Sequence, residues 1–557
     1  MQKILINNKL LFLLFIAMLS GCTLQPTAFP TDNTIPTPAQ SFTSVNLLPT
    51  PTPPAVDTAV PCSMWISPRV PNGLQETLEK GENCTIASEK AGAAYVIDLA
   101  DQSGEAPEQS TTWIYALVAP FPTLVDEIAL EQIMQIWKGE ATGLFSGFSL
   151  WMDESTYLVF VSSWGNPGEE AVHHIASAAL LEAAWNNTPS LAIVPFDELT
   201  PKWKVLKVDD ISPYDSSFDA GSYPLALRFG LFVQTEPGFV EMPQFPLTNR
   251  DPSKMTTVML TGTTALVRTT AARMEVKGVN YPAEIIGQTL READILHISN
   301  EVSFNEQCPP AIPVRSEMRF CSNPAYFELL QLIGTDVIEL TGNHLRDWGP
   351  EALLDTLEMY QNEGMQYYGG GRNLNEAMQP LRLEHHGNRI AFIGCNVAGP
   401  EIDWSTESSP GALKCDMQWM KDQIRLLLSE GYLPIVTFQH YEVEDYRPTS
   451  AQRVDMLDMA SAGAVIVSGS QSHFPQAMTF VGDVFVHYGL GNLFFDQMMP
   501  GNRDAFLDRH IFYNGSYLGV DLLTTKMTDY AQPRWMTPDE RITFLDTVFS
   551  ASNWSEE

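Results

Sequence analysis

Basic side chains are scarce in this chain: 32 Lys and Arg stand against 67 Asp and Glu among 557 residues, a formal net charge of −35. Binding to the phosphate backbone of DNA or RNA needs clustered Lys and Arg to displace counterions, so the composition argues against a nucleic-acid partner. The same acidity repels the chain from anionic lipid surfaces unless something anchors it. The N-terminal apolar stretch, Leu10 to Met18, is shorter than the ~20 residues of a membrane-crossing helix. Cysteine is sparse as well, at seven, and no two-by-two CxxC spacing of a thiolate zinc site occurs. Apolar material is plentiful, at 44% hydrophobic and 10% aromatic. At roughly 100 to 200 residues per domain, that supports more than one core and excludes a wholly disordered chain.

Seven cysteines leave at least one outside any internal disulfide. Lys3 and Lys9 form a basic region before the apolar stretch, and Leu19-Ser20-Gly21-Cys22 follows it. This pattern resembles the signal and lipobox of bacterial lipoproteins. The resemblance implies a signal peptide over 1–21, lipidation of Cys22, and a chain held at the extracytoplasmic face of the cell membrane; the alternative is an ordinary cleaved signal with an incidental cysteine. Outside the cytoplasm disulfides persist. The other six cysteines fall in sequence-local pairs, Cys62 with Cys84, Cys308 with Cys321 and Cys395 with Cys415. Six cysteines allow 15 connectivities, and buried free thiols are the alternative. Residues 22–60, rich in Pro and Thr, read as a semi-stiff PPII spacer.

Residues 61–245 alternate β-rich runs at Ala94–Leu99, Trp113–Val118 and Tyr157–Val161 with helical patterns at Leu124–Trp137 and Ala171–Trp185, which predicts an α/β or α+β domain. The segments Ala119-Pro120-Phe121-Pro122-Thr123, Ile133 to Gly139 and Leu191 to Phe196 resemble type II periplasmic solute-binding proteins, although no Ser/Thr/Gly-rich anion loop accompanies them. A spacer domain that merely shares the fold is the alternative.

Residues 255–525 are more informative, and a C-terminal extension, 526–557, follows them. Apolar runs at Thr256–Leu260, Asp294–Ile298, Val337–Leu340, Leu433–Phe438, Ala464–Val467 and Val484–His487 each stop at polar residues. With helical patterns at Glu351–Asn362 and Met417–Leu428 between them, these read as strands of an α/β sheet buried on both faces. Carboxyl ends of neighbouring strands share one edge, where ligands bind. The Asn, His and Glu residues at those ends suit a hard or borderline metal ion. At the end of the chain, Thr537-Pro538-Asp539-Glu540 predicts a capped terminal helix.

Three segments together, Thr341-Gly342-Asn343-His344-Leu345-Arg346-Asp347-Trp348-Gly349, Tyr368 to Asn373 and Tyr488 to Asp496, resemble the capsule synthesis protein CapA family of poly-γ-glutamate synthesis, relatives of the metallophosphatases. The resemblance implies an α/β, metallophosphatase-like layered-sheet domain preceded by the smaller α/β solute-binding-like domain. It implies a divalent metal ion held by Glu301, Asn343, His440 and His473, with His344, Asp347 and Glu444 as the catalytic candidates. It also implies a role in making, exporting or anchoring an anionic extracellular polymer such as poly-γ-glutamate, with that polymer or its synthesis proteins as partners. The chain departs from the family where Thr263 replaces an Asp, Ser470 and Gln471 replace two His, and Tyr441-Glu442 replaces Trp-Gly. These departures weaken a metal site and keep open a non-catalytic polymer- or partner-binding protein, and also a solute sensor built on the first domain. Arg346 and Arg372, near the motif loops, are the candidates for a cationic site that an anionic polymer would need.

Overall fold

A computed structural model describes residues 62–79, 84–102, 104–235, 242–313 and 318–554 of the chain. The signal-like segment, Cys22 and the proline-rich spacer lie outside the described residues. Those that are described fall in one compact unit, Ala59–Glu557.

The first layer of that unit is built on a long strand, Gln109–Pro120, whose residues from Trp113 onward are buried without interruption. It pairs antiparallel with Ala226–Val233 on one side and with Ser190–Pro195 on the other. Ser190–Pro195 runs parallel to Ser149–Met152, which is parallel in turn to Val172–His174. A strand buried on both faces reads as a continuous apolar run, and Trp113 to Ala119 is such a run.

Three expectations for this region differ from the structure. Tyr157–Val161 is not a strand but part of the helix Glu154–Trp164. Asp153 starts that helix by accepting the Thr156 backbone N–H at 2.7 Å, and Gly165, at φ 81°, ends it. A good N-cap outweighs the weak strand preference of Tyr and Val. The pattern at Leu124–Trp137 is helical only over Leu130–Trp137, and that at Ala171–Trp185 begins as the strand Val172–His174 before the helix Ser177–Asn186.

The remaining layers are two facing sheets. One has the order Gln366–Tyr368, Val337–Glu339, Ile295–Asn300, Met255–Thr264, Asp504–Tyr513, Ser516–Thr528, Gln532–Trp535, and its first four strands are parallel. The other runs Leu381–His385, Asn388–Asn396, Leu433–Gln439, Ile466–Ser470, Val484–His487, Met478–Val481, with the middle four parallel. Val258, Leu260, Ile295 and Val337 of the first sheet share a buried cluster with Ile390, Phe392, Ile435 and Ile466 of the second. Helix Pro350–Asn362 packs Leu353, Leu357 and Tyr360 on the outer face of the first sheet. Helices Met417–Ser429 and Ser450–Ala462 cover the outer face of the second through Met420, Ile424, Met456 and Met459. The result is an α/β/β/α layering, the mixed α/β class read from the sequence.

All three local cysteine pairs are disulfides: Cys62–Cys84, Cys308–Cys321 and Cys395–Cys415. The terminal helix is Pro538–Ala551, with the expected capping box between Thr537 and Glu540. Its Phe544, Leu545, Val548 and Phe549 join the cluster that also receives Phe121, which follows the long strand Gln109–Pro120. Among the described residues no helix is long and apolar enough to cross a membrane.

Candidate functional site at the strand ends

Parallel strands bring their carboxyl ends to one edge, and the two facing sheets place two such edges together. From the first sheet come Thr263 and Thr264, Asn300 and Glu301, and the loop Thr341 to His344. The second contributes Asn396, Gln439 with His440, and Ser470 to His473. Gly342 permits the closest approach. A Cβ there would stand 2.5 Å from Cα and 2.9 Å from the carbonyl oxygen of Glu301, so only glycine lets the two strand ends touch. The contact continues as a bridge between Val302 and His344.

Glu301 is buried, and neither of its carboxylate oxygens has a hydrogen-bond partner within the protein. His344 Nδ1 lies 2.8 Å from Asp347 Oδ2, and the same oxygen accepts the Phe320 backbone N–H at 2.7 Å. Burial disfavours the His344 imidazolium. The Asp347 hydrogen bond and the negative fields of Glu301, Asp347 and Asp403 outweigh that cost and raise its pKa above the ordinary value. Asp403, which no sequence pattern marks, is fully buried, and its Oδ1 accepts the Arg346 N–H at 2.8 Å. Desolvation, aided by the Asp347 charge, pushes its carboxyl up to about 7, against the opposing Arg346 N–H, His344 and the Arg346 charge. Asp403 is therefore suited to hold or give a proton near neutrality, and His344 to keep one more readily than an ordinary imidazole.

The donors expected for a metal are placed differently. Asn343 Oδ1 accepts from Gln439 Nε2 at 3.2 Å. Ser470 Oγ lies 2.9 Å from Gln439 Oε1 and 3.2 Å from Glu339 Oε1, with one proton to share between them. His440 Nε2 pairs with Asp455 Oδ2 at 3.1 Å, and His473 Nδ1 with Asn492 Oδ1 at 2.8 Å. Among the described residues no three His, Cys, Asp or Glu side chains are grouped so as to hold a metal ion. Glu301, His440 and His473 thus do not come together as a ligand set. With Thr263 in place of the expected carboxylate, the residues present do not fit a bound metal.

Glu444 is exposed, on a cavity of about 170 Å³ that it shares with Arg268, Gln497, Met499 and Asn502. Arg372 is engaged by Glu376, Tyr367 and Gln361. Arg346, within the motif loop, keeps a buried Nε–H without a partner, and Arg268, just past the first parallel strand, is a further cationic residue beside the motif loops. The Arg268 guanidinium pairs with Asp496 and lies 4.9 Å from the ring of Phe320 and 4.7 Å from that of Phe495. Asp403 and Arg268 escaped sequence reading because one ends a single 3-10 turn, Glu401–Asp403, and the other opens the helix Arg268–Lys277, positions that neither period nor motif marks.

Residues 257–497 match the model of a family described as bacterial capsule synthesis protein PGA_cap. Over 188 residues the chain is 27% identical to the capsule biosynthesis protein CapA of Bacillus anthracis, covering 33% of this chain and 46% of that protein. Over 246 residues it is 23% identical to the PGA biosynthesis protein CapA of Bacillus subtilis (strain 168), covering 43% and 64%. The match thus spans about half to under two thirds of these relatives. Among solved structures, a 5'-nucleotidase precursor from Thermus thermophilus aligns at a TM-score of 0.30 and 14% identity, covering 52% of this chain and 58% of that one. An ABC-type phosphate transport receptor from Vibrio cholerae aligns at 0.26 and 15%, covering 32% and 88%.

Proposed function

We propose, on the premise that residues 257–497 belong to the bacterial capsule synthesis protein family, that this chain is a lipid-anchored protein of the extracytoplasmic membrane face. In this reading it binds a capsular polymer of the poly-γ-glutamate kind during synthesis, export or anchoring. One observation carries the choice of binding over metal-assisted hydrolysis. The strand ends still converge, but Asn343 and His473 are engaged with Gln439 and Asn492, and among the described residues no three His, Cys, Asp or Glu side chains are grouped around an ion. The experiment is deletion of the gene, followed by quantification of cell-bound and released polymer. Loss or release of polymer, restored by the intact gene, supports the reading; an unchanged capsule overturns it. Anchorage is tested by metabolic labelling with a palmitate analogue. Label that disappears with Cys22→Ser supports it, and no label on the intact chain overturns it.

A second reading, acid–base cleavage or transfer of the polymer, is favoured by the raised His344 and by Asp403 at about 7. Purified chain incubated with polymer should then shorten it, and His344→Asn should stop the shortening. Polymer of unchanged length over a range of pH would remove this reading.

A further inference from the structure

Four loops that leave the strand ends each carry a large apolar side chain more than half exposed to solvent: Ile312 after Ile295–Asn300, Ile402 after Asn388–Asn396, Tyr441 after Leu433–Gln439 and Met499 after Asn492–Phe494. Single exposed apolar residues are ordinary on a protein surface. These four stand around one edge, and contacts between their loops join them. Met499 lines a cavity with Glu444 and Arg268, and Arg268 lines the next with Ile312 and Trp348. Gln497, two residues before Met499, donates to Glu442, the neighbour of Tyr441, at 3.2 Å. Asp403, the neighbour of Ile402, accepts the Arg346 N–H from the loop that also carries Trp348. The result is an apolar rim around the strand-end site. Grouped apolar side chains of this kind mark interaction surfaces, in which aromatic residues and Met are enriched.

The rim is acidic. Among the described residues of these four loops the exposed carboxylates are Glu306, Glu401, Glu407, Glu442 and Glu444, against two exposed guanidiniums, Arg319 and Arg447. Both guanidiniums are engaged: Arg447 with Asp445, and Arg319 with the Trp348 ring and the Asp347 carbonyl. Charge decides what can seat on such a rim. An anionic lipid surface is repelled. A second copy in a two-fold pairing would set the acidic rim against itself, and like charges brought face to face oppose the contact. A surface of opposite sign is drawn to it. Apolar side chains flanked by Lys or Arg would cover the Ile, Tyr and Met side chains and meet the carboxylates between them.

We infer that the rim over the strand ends is a docking surface for a basic protein segment, one that presents apolar side chains between lysines or arginines. Ile402 and Tyr441 would meet its apolar side chains, and Glu401 and Glu442, next to them in the chain, would pair with its cations. Carboxylates this exposed favour encounter and orientation more than tight binding, which falls to the apolar contacts. The docking surface goes beyond the capsular-polymer reading, which concerns a ligand of the opposite charge, and stands without it.

The test is fluorescence anisotropy of the full chain with a labelled amphipathic leucine–lysine peptide; a peptide of the same composition with its leucines dispersed and a leucine–glutamate counterpart are the comparisons. The rim variants are Ile402→Ser/Tyr441→Ser and Glu401→Gln/Glu442→Gln. Val454→Ser/Ile542→Ser is the control, since Val454 and Ile542 are exposed apolar residues of the helices Ser450–Ala462 and Pro538–Ala551. Thermal melting confirms that each variant is folded. The expected result is binding of the amphipathic leucine–lysine peptide alone, weakened about tenfold or more in Ile402→Ser/Tyr441→Ser, made less salt-dependent in Glu401→Gln/Glu442→Gln, and unchanged in the control. Affinity that both rim variants leave unchanged, or that the control lowers equally, would place the peptide on the acidic surface at large and overturn the rim. The dispersed peptide bound as tightly would overturn the apolar contacts, and no binding of the amphipathic peptide would overturn the inference outright. Attachment to neutral phosphatidylcholine vesicles, or dimerisation at rising concentration, abolished by Ile402→Ser/Tyr441→Ser, would give the rim to a membrane or to a second copy and overturn the basic partner. The gene-deletion experiment judges the capsular reading separately.

Discussion

Phe320 lies against His344, with ring centroids 4.1 Å apart and planes at 35°, and its backbone N–H holds the same Asp347 oxygen that faces His344 Nδ1. A loop that begins at one strand end therefore furnishes a wall for the next. The neighbouring Cys321 fixes that loop to Cys308.

Opening this crosslink should loosen Phe320 before anything else. In Cys308→Ser/Cys321→Ser, hydrogen exchange at the Phe320 amide should accelerate while the helix Pro350–Asn362 keeps its protection. The chain-entropy cost of losing a loop of this size is about 3 kcal/mol of global stability. Equal exchange in both proteins would show that packing on His344 alone places the ring.

Asp403 gives a pH dependence whose sign can be worked out. A carboxyl raised to about 7 in the folded state favours folding below its unfolded value, near 3.9, and that contribution is lost as pH rises through 7. Asp403→Asn keeps an oxygen for the Arg346 N–H and cannot ionise. It should match the parent at pH 4 and exceed it at pH 8, by on the order of 2 to 4 kcal/mol. Chemical denaturation at both pH values is the measurement, and equal stability at pH 8 would contradict the buried charge.

Gly342 offers a steric test of the strand-end contact. A methyl group there meets the Glu301 backbone at 2.5 Å, and backbone cannot swing aside as a flexible side chain can. Gly342→Ala should therefore destabilise the protein by about 1 to 3 kcal/mol or more and displace Glu301. A melting temperature unchanged from the parent would mean that the two strand ends stand further apart.

The two facing sheets were legible because their strands are short apolar runs ending in polar residues. The run read at Thr256–Leu260 is the core of Met255–Thr264, and Val484–His487 is as read. Periodicity failed at Tyr157–Val161, where a run rich in Tyr and Val is turned into helix by one cap, Asp153. At the site, motif spacing located Glu301, Asn343 and His344. It did not mark Asp403 or Arg268, whose settings come from burial and from neighbours distant in sequence. It also said nothing of the contacts that Asn343, His440 and His473 make with Gln439, Asp455 and Asn492.

Arg541 of the terminal helix clasps Asp126 of the first domain through two hydrogen bonds, Nε to Oδ2 at 2.6 Å and Nη2 to Oδ1 at 2.9 Å, and Lys204 adds its ammonium at 2.7 Å. Burial alone would raise the Asp126 pKa, but the two cations more than offset it and hold the carboxyl well below its usual range. The sign is opposite to that of Asp403: this stability is present above the unfolded pKa, near 3.9, and is lost as pH falls below it. Asp126 is 40% exposed, so the effect is discounted for solvent to about 1 to 2 kcal/mol. Asp126→Asn should lower stability by that amount at pH 7, because Arg541 and Lys204 are left facing each other, and should lose less than the parent between pH 5 and pH 3. Urea denaturation across that range decides it: parallel losses in both proteins would mean that the clasp does not link the first domain to the terminal helix.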